Sequence, residues 1–191
     1  MFRRLIARAF WALSRWKLVG EAAPDRPTVF VGAPHTSNWD FVLMLAIAWR
    51  LGVDIRWLGK KSLFDGWRGP LMRGLGGIPV DRADPSRVVD EVVALTRAGE
   101  MFGLVITPDG TRTGSGHWKS GFYRIARDAG MPVTLCFVDR TTMTTGIGPT
   151  FELTGEVSTD MDRIREFYAD KAGLRPEHRR EPRLREEGPS A

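Results

Sequence analysis

The stretch Thr28-Val29-Phe30-Val31-Gly32-Ala33-Pro34-His35-Thr36-Ser37-Asn38-Trp39-Asp40 decides the fold. It opens on a short β-branched and aromatic run, Thr28–Val31, which reads as a strand. A Gly-Ala-Pro punctuated loop follows, then Ser37 or Asn38 as the helix cap. From Trp39 to Leu51 the chain is apolar almost all round, the mark of a buried helix. A strand, a loop with a histidine, and a buried helix form the first half of a βαβ unit.

The rest repeats that alternation. Ile55–Gly59 reads as a strand, Leu63–Leu75 as a short helix broken at Gly69-Pro70, and Gly77–Val80 as a strand. Pro85–Ala98 reads as an amphipathic helix, Gly103–Thr107 as an apolar strand, and Lys119–Ala129 as a helix ended by Gly130. Pro132–Val138 is another apolar strand, Phe151–Leu153 a further short one, and Asp160–Ala172 the last helix. Strands alternating with helices predict an α/β layered sandwich around a mostly parallel sheet. Val29, Val105 and Val133 lie in runs apolar on both faces, as central strands do. Ligands in such sheets sit where loops leave the carboxyl ends of the strands.

The 191 residues carry a formal net charge of +5, and residues 1–20 hold five basic residues and no acid. The body is therefore balanced, which excludes a nucleic-acid groove built into the fold. In residues 1–20, Phe2, Leu5, Ile6, Ala9, Phe10, Leu13 and Trp16 keep helical spacing, with Arg4, Arg8 and Arg15 on or near the other side. This segment reads as an amphipathic helix in a membrane interface, against the alternative of a terminal helix docked on its own domain. The arginines interrupt any secretory h-region, and the longest apolar run, Phe41–Trp49, is too short to span a bilayer. These features predict three parts: the interface helix 1–20, a catalytic domain 21–173, and a charged, disordered tail 174–191. The single Cys136 excludes a disulfide framework, and three histidines without H-E-x-x-H leave no metal site to predict. Gly59-Lys60-Lys61-Ser62 lacks the earlier glycine of a phosphate loop, where Asp54 stands.

Three loops carry chemistry. His35 followed five positions later by Asp40 suits a proton-accepting imidazole oriented by a carboxylate. No G-x-S-x-G occurs in the chain, so the base would act on a hydroxyl of the substrate. Gly76-Gly77-Ile78-Pro79-Val80-Asp81-Arg82 places a phosphate-binding arginine after a strand. Thr107-Pro108-Asp109-Gly110-Thr111-Arg112 sets an acid, a hydroxyl and an arginine on one turn, and Lys119 adds positive charge near it. Each block taken singly also fits a structural reading: a capped histidine, a Gly-Gly turn, a Pro-Asp-Gly turn.

Together, and in this order, the blocks resemble those of the glycerolipid acyltransferase family that includes the 1-acyl-glycerol-3-phosphate acyltransferases. His35 and Asp40 match its H-x-x-x-x-D, and Gly76 to Arg82 its G-G-I-P block. Pro108 to Arg112 match P-E-G-T-R with Asp109 in place of glutamate. Pro132-Val133 match its Pro-Val strand, with Leu135 near the usual second proline. The resemblance covers Thr28 to Val138. It implies acyl transfer from a coenzyme A or carrier-protein thioester to a hydroxyl of a lysophospholipid or glycerol-phosphate-like acceptor, with no cofactor and no metal. It also implies the roles. His35 is the general base and Asp40 its orienting acid. Arg82 and Arg112 hold the acceptor phosphate, and Asp109 and Thr111 position the glycerol part. Backbone donors near Gly76, Gly77 or Gly110 face the oxyanion. The acyl chain is expected between the helix Trp39–Leu51 and the segment Leu63–Leu75, with Phe64, Trp67 and Met72 as walls. The partners are the membrane surface, the acyl donor and the acceptor, at the cytoplasmic face of a membrane and peripheral to it. The rival readings are an acyl-thioester hydrolase and a non-catalytic lipid-binding module.

Overall fold

The computed structural model describes residues 2–80, 86–109 and 116–187. Helix α1 spans Phe2–Leu13 and is followed by strands β1 (Lys17–Gly20) and β2 (Thr28–Ala33). Then come α2 (Trp39–Leu51), β3 (Ile55–Lys60), a 3-10 turn at Lys61–Phe64, α3 (Arg68–Gly74) and β4 (Gly77–Val80). The second half holds α4 (Ser86–Arg97), β5 (Gly103–Ile106), α5 (Gly121–Ala129), β6 (Val133–Asp139), β7 (Thr144–Phe151) and α6 (Val157–Tyr168). The strands form one seven-stranded sheet in the order β1-β7-β6-β2-β5-β3-β4. Every pair is parallel except β6 with β7. The predicted α/β sandwich is therefore the fold.

Alternation along β2 sorts the two faces. Val29, Val31 and Ala33 enter a large core with Val92, Leu104, Phe122, Leu135 and Ile164, roofed by α4, α5 and α6. Phe30 and Gly32 face the opposite side, under α2, where the buried cluster is only Leu45, Ala48 and Ile55. One face of the sheet is filled and the other is left partly open.

Two strands differ from those the sequence predicts: β1 is not among them, and the short strand expected at Phe151–Leu153 is instead the longer β7, Thr144–Phe151. The sequence groups Lys17–Gly20 with the terminal helix, but the helix ends at Leu13 and β1 lies parallel to β7 at the sheet edge. β7 reads poorly because Thr-Thr-Gly-Ile-Gly-Pro-Thr-Phe mixes strand formers with Gly and Pro. The glycine is required there: a Cβ on Gly146 would fall on the Val19 carbonyl of β1. The predicted helix cap also differs. Asn38 makes no side-chain cap, and Ser37 Oγ accepts the Trp39 N–H at 3.3 Å.

The tail is a further correction. Residues 174–187 are charged in sequence, yet Leu184 is buried in the main core. Arg165 on α6 donates to the Pro182 carbonyl at 3.0 Å and to the Glu187 carboxylate, and the Trp118 N–H donates to the Arg183 carbonyl at 2.7 Å. One apolar side chain and several backbone partners supply what mean hydropathy hid. Leu184→Ala is expected to lower unfolding stability by about 2–5 kcal/mol, measured by urea denaturation. An unchanged midpoint would mean that the segment does not dock.

Candidate active site

The site lies at the carboxyl ends of the central strands, where β2 and β5 deliver their loops side by side. β2 leads through a cis Ala33–Pro34 peptide into His35. The His35 backbone N–H donates to Asp109 Oδ2 at 2.6 Å, so the loop after β5 holds the loop after β2. Asp40 sits in the first turn of α2, where a negative charge is favoured by the helix dipole. Its Oδ2 turns back and accepts the N–H groups of Thr36 and Ser37, each at 2.8 Å. The same oxygen lies 3.1 Å from His35 Nδ1. That contact does not meet hydrogen-bond geometry, which leaves Nδ1 buried without a hydrogen-bond partner among the described residues; Asp40 Oδ1, which takes no part in it, is likewise buried and unpartnered there. The imidazole remains 22% exposed and the Asp40 side chain 10%. The histidine is thus reachable while its acid is enclosed.

Behind the pair, under α2, opens a cavity of about 920 Å³. His35 and Asp40 are at its polar end, and Phe41, Met44, Ile47 and Leu51 of α2 run along its apolar wall. The sheet supplies the floor through Phe30, Val105 and Ile147 among others. Its size is that of a small-molecule site, and its lining is apolar with polar groups at one end. Of the expected walls, Met72 lines the cavity, whereas Phe64 and Trp67 do not. Phe64 is buried in a stack on Trp57 with ring centroids 5.8 Å apart, and Trp67 is exposed to solvent.

Cys136 also lines the cavity, and burial pushes its thiol up to about 12. It is therefore a neutral thiol at neutral pH and a poor nucleophile.

Asp109 is itself buried, and burial raises its carboxyl pKa above the ordinary value. The His35 N–H, the charge on His35, the Trp118 indole and Arg180 oppose that rise. Its folded-state pKa is above its unfolded one, so its favourable contribution is complete below the unfolded pKa. That contribution is lost as pH rises through the folded pKa. Asp109→Asn keeps an oxygen for the His35 N–H and removes the buried charge. It is expected to be as stable as the wild type or more so at neutral pH, with the difference vanishing in acid. Urea unfolding of both proteins at several pH values measures this; a variant less stable than wild type at neutral pH would contradict it.

The sequence-predicted residues divide. His35, Asp40 and Asp109 come together. Asp109, though, uses its Oδ2 on the protein's own loop, not on an outward acceptor contact. Lys119 is joined to the same loop by its backbone N–H, which donates to the Pro108 carbonyl at 2.8 Å, and its side chain is exposed. Gly76 and Gly77 are not at the site. They open β4, at the amino ends of the strands, and the Gly76 N–H already donates to the Arg73 carbonyl at 2.9 Å. Gly76 has φ +88, and a Cβ on either glycine would strike the Ile55 carbonyl or the Trp57 and Phe64 rings. Their glycine identity thus serves packing against β3. Arg82, Gly110, Thr111 and Arg112 lie outside the described residues.

Other contributors were not singled out in sequence. Thr36 is buried, and its Oγ1 accepts the Arg175 N–H at 3.0 Å. Arg180 donates to the Asp109 carbonyl at 3.0 Å. Buried Trp118 packs edge-on against Tyr168, whose hydroxyl donates to the Val31 and Cys136 carbonyls at 2.7 and 2.9 Å. The segment 173–183 therefore straps both loops of the site from outside. A buried tryptophan just after the Pro-Asp-Gly turn was the only signal available in sequence.

A scan against protein-family models matches residues 15–138 to the family described as Acyltransferase. The chain belongs to the acyltransferase family. Both the His35 loop and the Asp109 turn fall inside the matched span. Among curated protein sequences, none matches. Among solved structures, the chain is similar to the 1-acyl-sn-glycerophosphate (LPA) acyltransferase PlsC from Thermotoga maritima, with a TM-score of 0.55 and 15% identity. That similarity covers 88% of this chain and 75% of the other and supports the acyltransferase fold. Among the described residues, no helix is long and apolar enough to cross a membrane.

Proposed function

We propose that this acyltransferase moves a fatty acyl group from an acyl thioester to a hydroxyl of a lysophospholipid or glycerol-phosphate-like acceptor. The observation that carries the reading is the His35–Asp40 pair at the polar end of the 920 Å³ apolar cavity. The acyl chain lies under α2 and brings its thioester carbonyl to the mouth. His35 Nε2 takes the proton of the acceptor hydroxyl, while Asp40 holds the Nδ1 side and stabilises the imidazolium. The hydroxyl oxygen attacks the carbonyl, and the tetrahedral intermediate expels the thiolate. The thiolate leaves as thiol with the proton carried by His35. No acyl-enzyme is needed, which agrees with a neutral Cys136 thiol. Arg82 and Arg112 serve the acceptor phosphate, and Thr111 its glycerol part. The similarity to a lysophosphatidic acid acyltransferase supports this acceptor class.

The same reading places the protein on a membrane surface. Helix α1 docks on α2 through Ala7, Phe10 and Trp11, with the Trp11 indole donating to the Ala46 carbonyl at 3.1 Å. Phe2, Leu5, Ile6 and Leu13 point away from the domain, at 74%, 53%, 40% and 87% exposure. An outward apolar stripe edged by arginines suits a lipid interface.

The test is thiol release from a long-chain acyl-coenzyme A and from the matching acyl-carrier-protein thioester, with and without lysophospholipid and glycerol-phosphate acceptors, and with products identified by mass spectrometry. Acceptor-dependent release with ester formation is expected. Release independent of any acceptor would make the protein a thioesterase, and no turnover with either thioester donor would leave a lipid-binding module.

A further inference from the structure

A second pocket, of about 340 Å³, lies on the other side of the His35 loop, lined by Trp16, Ser37, Trp39, Arg140, Leu174 and Arg175 among others. Arg140 leaves the carboxyl end of β6, on the same rim of the sheet as His35. Among the described residues its Nη1 reaches only the Leu174 carbonyl, at 3.4 Å. The Arg175 backbone is held by Thr36, and its guanidinium has no carboxylate partner among the described residues. The nearby acid, Asp139, faces inward onto the Thr141 and Ala172 N–H groups and the Thr142 hydroxyl. The pocket therefore presents two arginines without a counter-charge among the described residues, beside two tryptophans.

Its position says what fills it. Helix α1 runs antiparallel to α2: Arg3 sits 5.9 Å over the Trp49 ring near the end of α2, and Trp11 bonds Ala46 in the middle. Trp16 consequently arrives at the start of α2, next to Trp39, which is 67% exposed. The pocket thus opens at the end of the outward apolar stripe of α1. Tryptophan at the headgroup level and arginine on phosphate are the usual chemistry of that depth, and the guanidinium fork matches phosphate oxygens two at a time.

We propose that this pocket binds the phosphate of an anionic phospholipid in the membrane on which the protein docks, separately from the acyl acceptor. The inference rests on the membrane reading of α1. A lipid held there anchors the start of α2, and with it the His35 loop, at the bilayer.

The test compares full-length wild type with Arg140→Gln/Arg175→Gln in sedimentation with phosphatidylcholine vesicles, with and without phosphatidylglycerol. A charge-matched control is Arg97→Gln/Arg127→Gln, on α4 and α5 across the sheet. The pocket variant is expected to lose about tenfold or more in affinity for the phosphatidylglycerol vesicles. The control is expected to lose less than about twofold, because its charges lie beyond a Debye length from the docked face. Arg140→Lys/Arg175→Lys is expected to recover only part of the loss. Equal weakening by both Gln variants would overturn the proposal in favour of diffuse net charge. So would intact vesicle binding with a raised KM for a monomeric short-chain lysophosphatidic acid, which would give the arginines to the acceptor. Wild type that binds neither vesicle would overturn it by a different route, through the failure of α1 as the membrane anchor.

Discussion

Replacing His35 by alanine is expected to lower kcat by about a hundredfold to ten-thousandfold, the range a positioned general base supplies. The substitution should leave the fold intact. What ties the His35 loop to the Asp109 turn is the backbone N–H of residue 35, which alanine keeps. The side chain itself makes one polar contact, with Asp40, and stands at the mouth of a cavity otherwise walled by other residues. The loss should therefore fall on kcat, with the KM for the acyl thioester and the unfolding midpoint nearly unchanged. Steady-state kinetics with circular dichroism as a folding control measures this. A variant that turns over within a few-fold of wild type would remove the imidazole from the chemistry.

Asp40→Ala is expected to be nearly as inactive and, unlike His35→Ala, unstable as well. One oxygen of Asp40 serves three groups: the Thr36 N–H, the Ser37 N–H and the His35 ring. Removing it leaves two enclosed N–H groups without an acceptor, at about 1–3 kcal/mol each if water does not reach them. Asp40→Asn separates the two functions. An amide oxygen can still accept both N–H groups, so stability should return. It carries no charge to stabilise an imidazolium, so turnover should stay low, about a hundredfold or more below wild type. Thermal unfolding beside kcat for the three proteins checks the split. If Asn restores turnover along with stability, Asp40 is only a loop brace. If the acid acts through the histidine, His35→Ala/Asp40→Asn together should be little worse than His35→Ala alone.

The parts legible in sequence share a physical character: they are local. A β-branched run followed by an all-round apolar helix can be placed as β2 and α2 because strand propensity and helix burial are written along the segment itself. The His35–Asp40 spacing is legible for the same reason. A loop of four residues between them brings the carboxylate back over its own helix start, whatever the rest of the chain does. The misread parts depend on distant partners. Gly76 and Gly77 suggest a ligand-facing turn, yet the Ile55 carbonyl and a positive φ require the first, and the rings of Trp57 and Phe64 require the second. Gly146 breaks the look of a strand because β1, more than a hundred residues earlier, approaches too closely for a side chain.

The sequence by itself determined a layered α/β domain, a histidine and an aspartate brought together on the loop after its central strand, and a basic, apolar-faced amino-terminal helix. Periodicity and short spacings suffice for those. Only the tertiary structure decided that α1 turns its apolar stripe outward, since a helix face has no direction until α2 lies against its other side. Only the tertiary structure turned Asp109 inward onto the His35 N–H and drew a charged tail across both loops of the site. Those outcomes rest on single hydrogen bonds and one buried leucine between segments tens of residues apart, and chain entropy hides such contacts from any local reading.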